Sequence, residues 1–321
     1  MTVFRNILNR ELDRKLPGVL TRPMPELPIA DGVLVPAFND LPVGVQYETK
    51  ELMEQAGEAK FYSKDSKDIP LISFTEDEQG YRVMTIATGI QWNHVELEQA
   101  GYANASRSTP RDVITRRSSF VPRVFAEAEQ KFVLAGSAEH GITGFFNDPN
   151  VPSENSSYDP TDNATDALDS VAFLNDCYTG LPDRTNNIAQ VSVIVAPRRL
   201  INYWSTQFLP NTSVTVISSI LANLGAANGG TLRGFLALEE CKSEVLEAYG
   251  IQAGGTNKDL VMVAPVNDMV ASRSYNNPRQ IPLDYSMGTY TQVFLKDIGQ
   301  VRMDYPDQFE YRFVPKLSVG I

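Results

Sequence analysis

The spacing of apolar residues along this chain changes several times, and each change marks a different kind of element. Over residues 1–16, Phe4, Ile7, Leu8 and Leu12 fall on one face of a short predicted helix. Between residues 16 and 43, Pro17, Pro23, Pro25, Pro28, Pro36 and Pro42 interrupt any regular element. That stretch is predicted to be extended. It lacks the volume for a core of its own and is expected to lie along another surface, including that of a second subunit.

From residue 45 the pattern turns to β. Residues 45–47 read as a short strand. Residues 71–74 and 81–88 read as two further strands, and the polar run TEDEQG at 75–80 reads as the turn of a hairpin between them. The preceding segment GEAKFYSKDSKDIP, residues 57–70, is rich in Lys and Asp, buries little of itself and is expected to project from the body.

Helical spacing returns after Thr109 and Pro110, a capping residue followed by proline at the first helical position, with Asp112 in the first turn. Val113, Val121, Val124, Phe125, Ala128, Phe132 and Ala135 continue the stripe to a stop near Gly136. That predicts a helix of about 40 Å at 1.5 Å per residue, kinked or divided at Pro122. A glycine-punctuated turn (141–151), a polar loop (152–165) and a helix (166–178) follow. Residues 191–195 and 260–263 each read as a strand that runs into Ala-Pro and then a helix, an α/β pattern. Residues 214–224 are apolar and ambiguous between helix and strand, and 238–249 reads as helix. Residues 281–321 alternate with period two, break at 297–299 and predict antiparallel strands.

Composition narrows the function. The chain has 321 residues, 42% of them hydrophobic and 21% charged, which suits two to three domains or one elaborated α/β unit. Its net charge of −11 argues against gripping duplex nucleic acid over the whole surface, while leaving room for a local basic patch. The amphipathic start lacks the apolar core of a signal peptide, and no run of about 18 apolar residues exists to span a membrane. Cys177 and Cys241 sit in apolar surroundings and read as small buried hydrophobes. Together these features predict an intracellular chain without disulfides.

Candidate chemistry is sparse. His94 and His140 have no ligand partners at metal-binding spacing. No G-x-S-x-G elbow is present. GAANGGTLRG (225–234) lacks the Lys-Ser/Thr ending of a phosphate loop and reads as a flexible loop. Asp159, Asp162, Asp166 and Asp169 lack the glycine and terminal glutamate of a calcium loop and read as helix-capping carboxylates. Lys60, Lys64 and Lys67 read as a solvated face. Arg107, Arg111, Arg116, Arg117 and Arg123 leave two readings, carboxylates of a neighbouring subunit, which is favoured, or packaged DNA. The remaining alternative of an enzyme would place a ligand at the two strand-turn-helix units.

The order of parts, an arm, a projecting loop, a long helix, an α/β region and terminal strands, resembles the tailed-bacteriophage major capsid proteins of the Hong Kong 97-type fold. Two stretches carry the resemblance. KDIPLISFTEDEQGYRVMTIATGIQWNHVELEQAG (67–101) is similar to the loop and return strand of a subgroup of that family, with its D-I-P, G-x-x-[WY] and E-L elements. GITGFFNDPNV (141–151) is similar to that subgroup's G-x-x-G-[FL]-x-N-x-P turn.

The resemblance implies an α+β fold. Its parts would be an N-terminal arm (1–46), a projecting β-hairpin or E-loop (47–98), a peripheral domain with a spine helix (99–149 and 284–321) and an axial domain (150–283). It implies a structural, non-enzymatic protein with no catalytic residue, cofactor or metal ion. Such a protein self-assembles as hexamers and pentamers into an icosahedral head of the virion. DNA would lie on the inner face, scaffolding, portal and decoration proteins would be possible partners, and no membrane would be involved. Assembly would occur in the host cytoplasm. Scaffolding, if used, is expected from a separate protein, and no cross-linking Lys–Asn pair is assigned. An encapsulin-type nanocompartment shares the fold and is the alternative.

Overall fold

The computed structural model describes residues 27–29, 32–56, 73–105, 113–162, 166–227, 232–251 and 255–317. The segments 1–16 and 57–70, the start of the helix predicted from Thr109 and most of the glycine loop after 227 lie outside these residues.

The extended stretch leads into β1 (Ala37–Phe38), which pairs in parallel with β8 (Ala271–Ser274). Ile29, Leu34 and Val35 are buried in the main core of the same subunit. Where it is described, the proline-rich stretch therefore packs part of its apolar surface on its own body. Proline supplies no N–H for a strand ladder, but Leu, Ile and Val between the prolines supply apolar area to bury.

β2 (Tyr47–Ala56) and β3 (Ser73–Asn93) form an antiparallel ribbon in which Tyr47 faces Arg82 and Ala56 faces Ser73. The predicted turn at 75–80 is instead strand, paired with residues 49–54. Its polarity has a different cause: residues 75–80 are exposed on both faces, so neither face selects apolar side chains. β3 has 21 residues, roughly 70 Å of continuous strand. Beyond Val83 its character changes. Met84, Ile86, Thr88, Ile90 and Trp92 are at least partly buried, and the residues between them are exposed.

A helix that the alternating pattern concealed, α1 (His94–Ala105), follows directly. The predicted long helix is divided into α2 (Val113–Ser118) and α3 (Val121–Ala135), with Pro122 in the first turn of α3. Proline has no N–H to continue the ladder from α2, which explains the division. Val121, Phe125, Glu129 and Val133 form the buried column of α3. α3 stops at Gly136 as expected, with φ 69°.

The turn that follows caps α3 with its own backbone. Phe145 N donates to Val133 O at 2.8 Å, Phe146 N to Leu134 O at 3.0 Å and Asn147 Nδ2 to Ala135 O at 3.0 Å. These bonds satisfy carbonyls that a helix end leaves open. The approach is close enough to exclude side chains. A Cβ on Gly144 would lie 2.4 Å from Gly136 N, and one on Gly136 would lie 2.2 Å from Ile142 O.

β4 (Ser153–Asn155) precedes α4 (Ala167–Arg184), which ends six residues beyond the end of the helix predicted from sequence. β5 (Val193–Ala196) runs into α5 (Arg198–Thr206) after Pro197, as predicted. The ambiguous apolar run becomes α6 (Val216–Ala227) and leads to β6 (Gly234–Ala237). Residues 238–249 hold a short 3-10 turn and α7 (Ser243–Ala248). β7 (Lys258–Ala264) is not followed by a helix. Asn267 Oδ1 accepts from Met269 N, its carbonyl accepts from Val270 N and Ala271 N, and this turn sends the chain into β8. The second strand-turn-helix unit is thereby corrected to strand-turn-strand.

β9 (Arg279–Gln280), β10 (Asp284–Ser286) and β11 (Thr289–Gly299) complete a sheet of order β10-β11-β3-β2, with β9 beside β11. β11 runs on through the expected break at 297–299 and ends before Gln300. β12 (Arg302–Met303) joins β8. The last strand, β13 (Glu310–Pro315), lies between β4 and β7 in a mixed sheet of order β4-β13-β7-β5-β6. Its partners thus fall within residues 150–283 and not with the other terminal strands. β7 is buried on both faces. Leu260, Met262 and Ala264 enter one core with Phe145, Tyr311 and Phe313, and Val261 and Val263 enter the other with Leu174, Leu181 and Trp204.

Candidate assembly surface

The ribbon is the least self-sufficient part of the described chain. Glu51, Met53 and residues 75–80 are exposed. In its register Glu51 stands directly opposite Glu78, and Met53 opposite Glu76. Like charges in directly opposed positions destabilise a strand pair. An isolated two-stranded ribbon is marginal in water, so this one leans on whatever holds its base.

The base is built by β2, β3 and the end of β12. Lys50 Nζ lies 2.5 Å from Asp304 Oδ2, and Tyr81 Oη donates to Asp304 Oδ1 at 3.2 Å. Arg302 Nη1 lies 3.7 Å from Glu48 Oε1. The Asp304 side chain is 1% exposed. Burial, with the Asp304 carboxylate adding to it, pushes the Tyr81 phenol well above its ordinary range and keeps it a donor.

The second polar assembly lies inside. Glu129 of α3 pairs with Arg273 of β8 and with Lys296 of β11, whose Nζ is 2.5 Å from Glu129 Oε2. Arg273 Nη2 also donates to Ile29 O at 3.1 Å. Both cations lie against the ring of Tyr275, Lys296 at 4.7 Å and Arg273 at 5.8 Å from its centre. Helix, two sheets and the start of the described arm therefore meet at one buried carboxylate. Nothing local in sequence marks this set.

At the far end of β3 an aromatic group forms. Trp92 stacks on Tyr290 at 6.0 Å, and Tyr285 packs on Tyr290 at 4.6 Å. The β10–β11 turn that presents it carries Met287 at full exposure.

The residues singled out from sequence fall elsewhere. His94 Nε2 lies 3.2 Å from Glu98, and Ser137 Oγ lies 2.8 Å from His140 Nδ1. Asp166 and Asp169 form a reciprocal cap on α4, and Asp159 accepts from Thr161 N in a local turn. Arg117 bonds Glu96 and Gln91 O, and Arg123 bonds Glu127, so these two arginines have carboxylate partners within the subunit. The hydrogen bond from Arg117, aided by Asn93 N–H, lowers the Glu96 carboxyl. Arg107, Arg111, Lys60, Lys64 and Lys67 lie outside the described residues. Cys177 and Cys241 are buried apart from one another, and burial pushes the Cys177 thiol up to about 12. Among the described residues no group of three His, Cys, Asp or Glu side chains is placed to hold a metal ion. No helix among them is long and apolar enough to cross a membrane.

A family model described as major capsid protein matches residues 57–312. No curated protein matches by sequence. Solved structures match in fold. The capsid of Myoviridae phage XM1 superposes with a TM-score of 0.75 at 14% identity, covering 98% of this chain and 100% of that one. A chain from Gordonia phage Cozz gives 0.58 at 10% identity, covering 96% and 93%. A chain of the holo-SrpI encapsulin complex from Synechococcus elongatus gives 0.53 at 10% identity, covering 100% of both.

Proposed function

The chain belongs to the major capsid protein family, and on that premise we propose that its copies build the icosahedral head of a tailed phage around a DNA genome. It is a structural shell protein with the Hong Kong 97-type fold. The observation that carries the proposal is the exposed ribbon of β2 and β3. Among the described residues its outer part is exposed and its base is held by Glu48, Lys50 and Tyr81, so a neighbouring copy supplies the support of the outer part. Obligate assemblies of this kind bury upwards of about 2,000 Å² per contact.

Within the shell, residues 1–46 serve as the arm, 47–98 as the projecting loop, 99–149 with 284–321 as the peripheral domain and 150–283 as the axial domain. The last strand is the exception to these boundaries, because β13 pairs with β4 and β7. Hexamers and pentamers of the virion shell form in the host cytoplasm, DNA faces the inner surface, and scaffolding, portal and decoration proteins are candidate partners.

Negative-stain microscopy of the purified protein tests the proposal: shells or capsomers are expected. A strict monomer at high concentration under every condition overturns it. The encapsulin likeness supports a second reading, a compartment around cargo enzymes. Terminase and portal genes beside this one support the phage head, and a cargo-enzyme gene supports the compartment.

A further inference from the structure

We infer that Glu48 and Lys50, set against Arg302 and Asp304, form a charge-coded latch that fixes the direction in which the ribbon leaves the body. Glu48 and Lys50 are two positions apart on β2 and so share a face. They carry opposite signs. Arg302 and Asp304, also two positions apart, carry the complementary signs in the same order, giving contacts of 3.7 Å and 2.5 Å.

The match holds in one register only. A shift of two residues one way sets Lys50 against Arg302 and removes the cation from Asp304. A shift the other way sets Glu48 against Asp304. Tyr81, opposite Glu48 on β3, reaches the same Asp304, so both ribbon strands are held by one buried carboxylate. Gly299 contributes by its lack of a side chain, since a Cβ there would lie 2.8 Å from Glu48 Oε2. Outward from Lys50, Glu51, Met53 and residues 75–80 are exposed, so the lever arm is long and the base sets its angle. The latch concerns contacts within one subunit. Its consequence, a ribbon aimed before a neighbour is met, rests on the shell reading above.

The test uses the unassembled full-length chain with spin labels at Glu78→Cys on the ribbon and Asn202→Cys on α5. Cys177 and Cys241 are buried and stay unlabelled. A single narrow distance distribution is expected. Lys50→Glu is expected to broaden it at least about twofold, and Lys50→Glu with Asp304→Lys to narrow it again. Should the buried Asp304 site reject lysine, Glu48→Arg alone and with Arg302→Glu gives the same comparison at a pair in which both side chains are more exposed than Asp304. A distribution in the single variants as narrow as in the parent overturns the latch, as does a folded swap variant no narrower than its single variant. None of these readings depends on shell formation, so a monomeric protein with a working latch separates failure of the shell reading from failure of this one.

Discussion

Glu129 and Lys296 stand 167 positions apart in the chain, yet their side chains meet at 2.5 Å and both are almost fully buried. Arg273 shares the same carboxylate. One negative charge therefore balances two cations at the junction of α3, β8 and β11, with the Tyr275 ring beside both.

Glu129→Gln is expected to be among the most damaging single changes outside the apolar cores. It removes the carboxylate that Arg273 and Lys296 share in a buried setting. Breaking such a set costs about 3–5 kcal/mol. Urea unfolding should show the midpoint fall with an unchanged slope. Lys296→Met should cost less, because Glu129 keeps Arg273.

Gly144→Ala tests the close turn after α3. A Cβ would sit 2.4 Å from both Gly136 N and Leu134 O. Backbone must move, and the helix-capping bonds of Phe145 and Phe146 weaken. A loss of about 2 kcal/mol or more is expected, read as a lower melting temperature. Gly141→Ala, where a Cβ meets nothing within 4 Å, should lose less despite its positive φ of 64°.

Stability should fall with acid through Glu244. Lys316, then Arg199, holds its carboxyl down from 4.5 to about 2. A folded pKa below the unfolded one contributes stability above the unfolded value, and that contribution is lost as pH falls from about 4.5 through about 2. Asp297 adds in the same direction, because hydrogen bonds from Thr85, Asn276 and Arg279 outweigh the effect of burial. Glu244→Gln should flatten the melting-temperature profile between pH 5 and 2, each about, and salt should shrink the difference, since Glu244 is half exposed.

Glu78→Lys should stabilise the free ribbon. It replaces a directly opposed Glu51–Glu78 pair by opposite charges, a gain of about 0.2–1 kcal/mol. Slower amide exchange in β2 and β3 of the unassembled protein is the expected readout. Unchanged exchange would show that the repulsion carries no weight there.

Much of the local structure is legible in the chain. Pro122 divides the helix because it lacks an N–H, Gly136 ends it in a conformation other residues resist, and Asp166 caps α4 with Asp169 three residues on. The glycine and asparagine spacing of 141–151 is also readable. Each is a signal whose cause lies within a few residues.

The ribbon was harder to read. A strand exposed on both faces has no alternation to reveal it, so 75–80 carries the composition of a turn while pairing with 49–54. The helix expected after Pro265 failed for a related reason. Asn267 closes a turn, and β8 finds partners in β1 and β12, which local propensity cannot weigh.

The sequence by itself determined the element types where local sterics or capping decide, the scarcity of catalytic chemistry and the family resemblance. Tertiary structure alone decided which strands pair, that β13 sits between β4 and β7, and that Lys50 meets Asp304 and Glu129 meets Arg273 and Lys296. These are contacts between residues far apart in the chain, and only the folded geometry brings the opposite charges together and removes them from water.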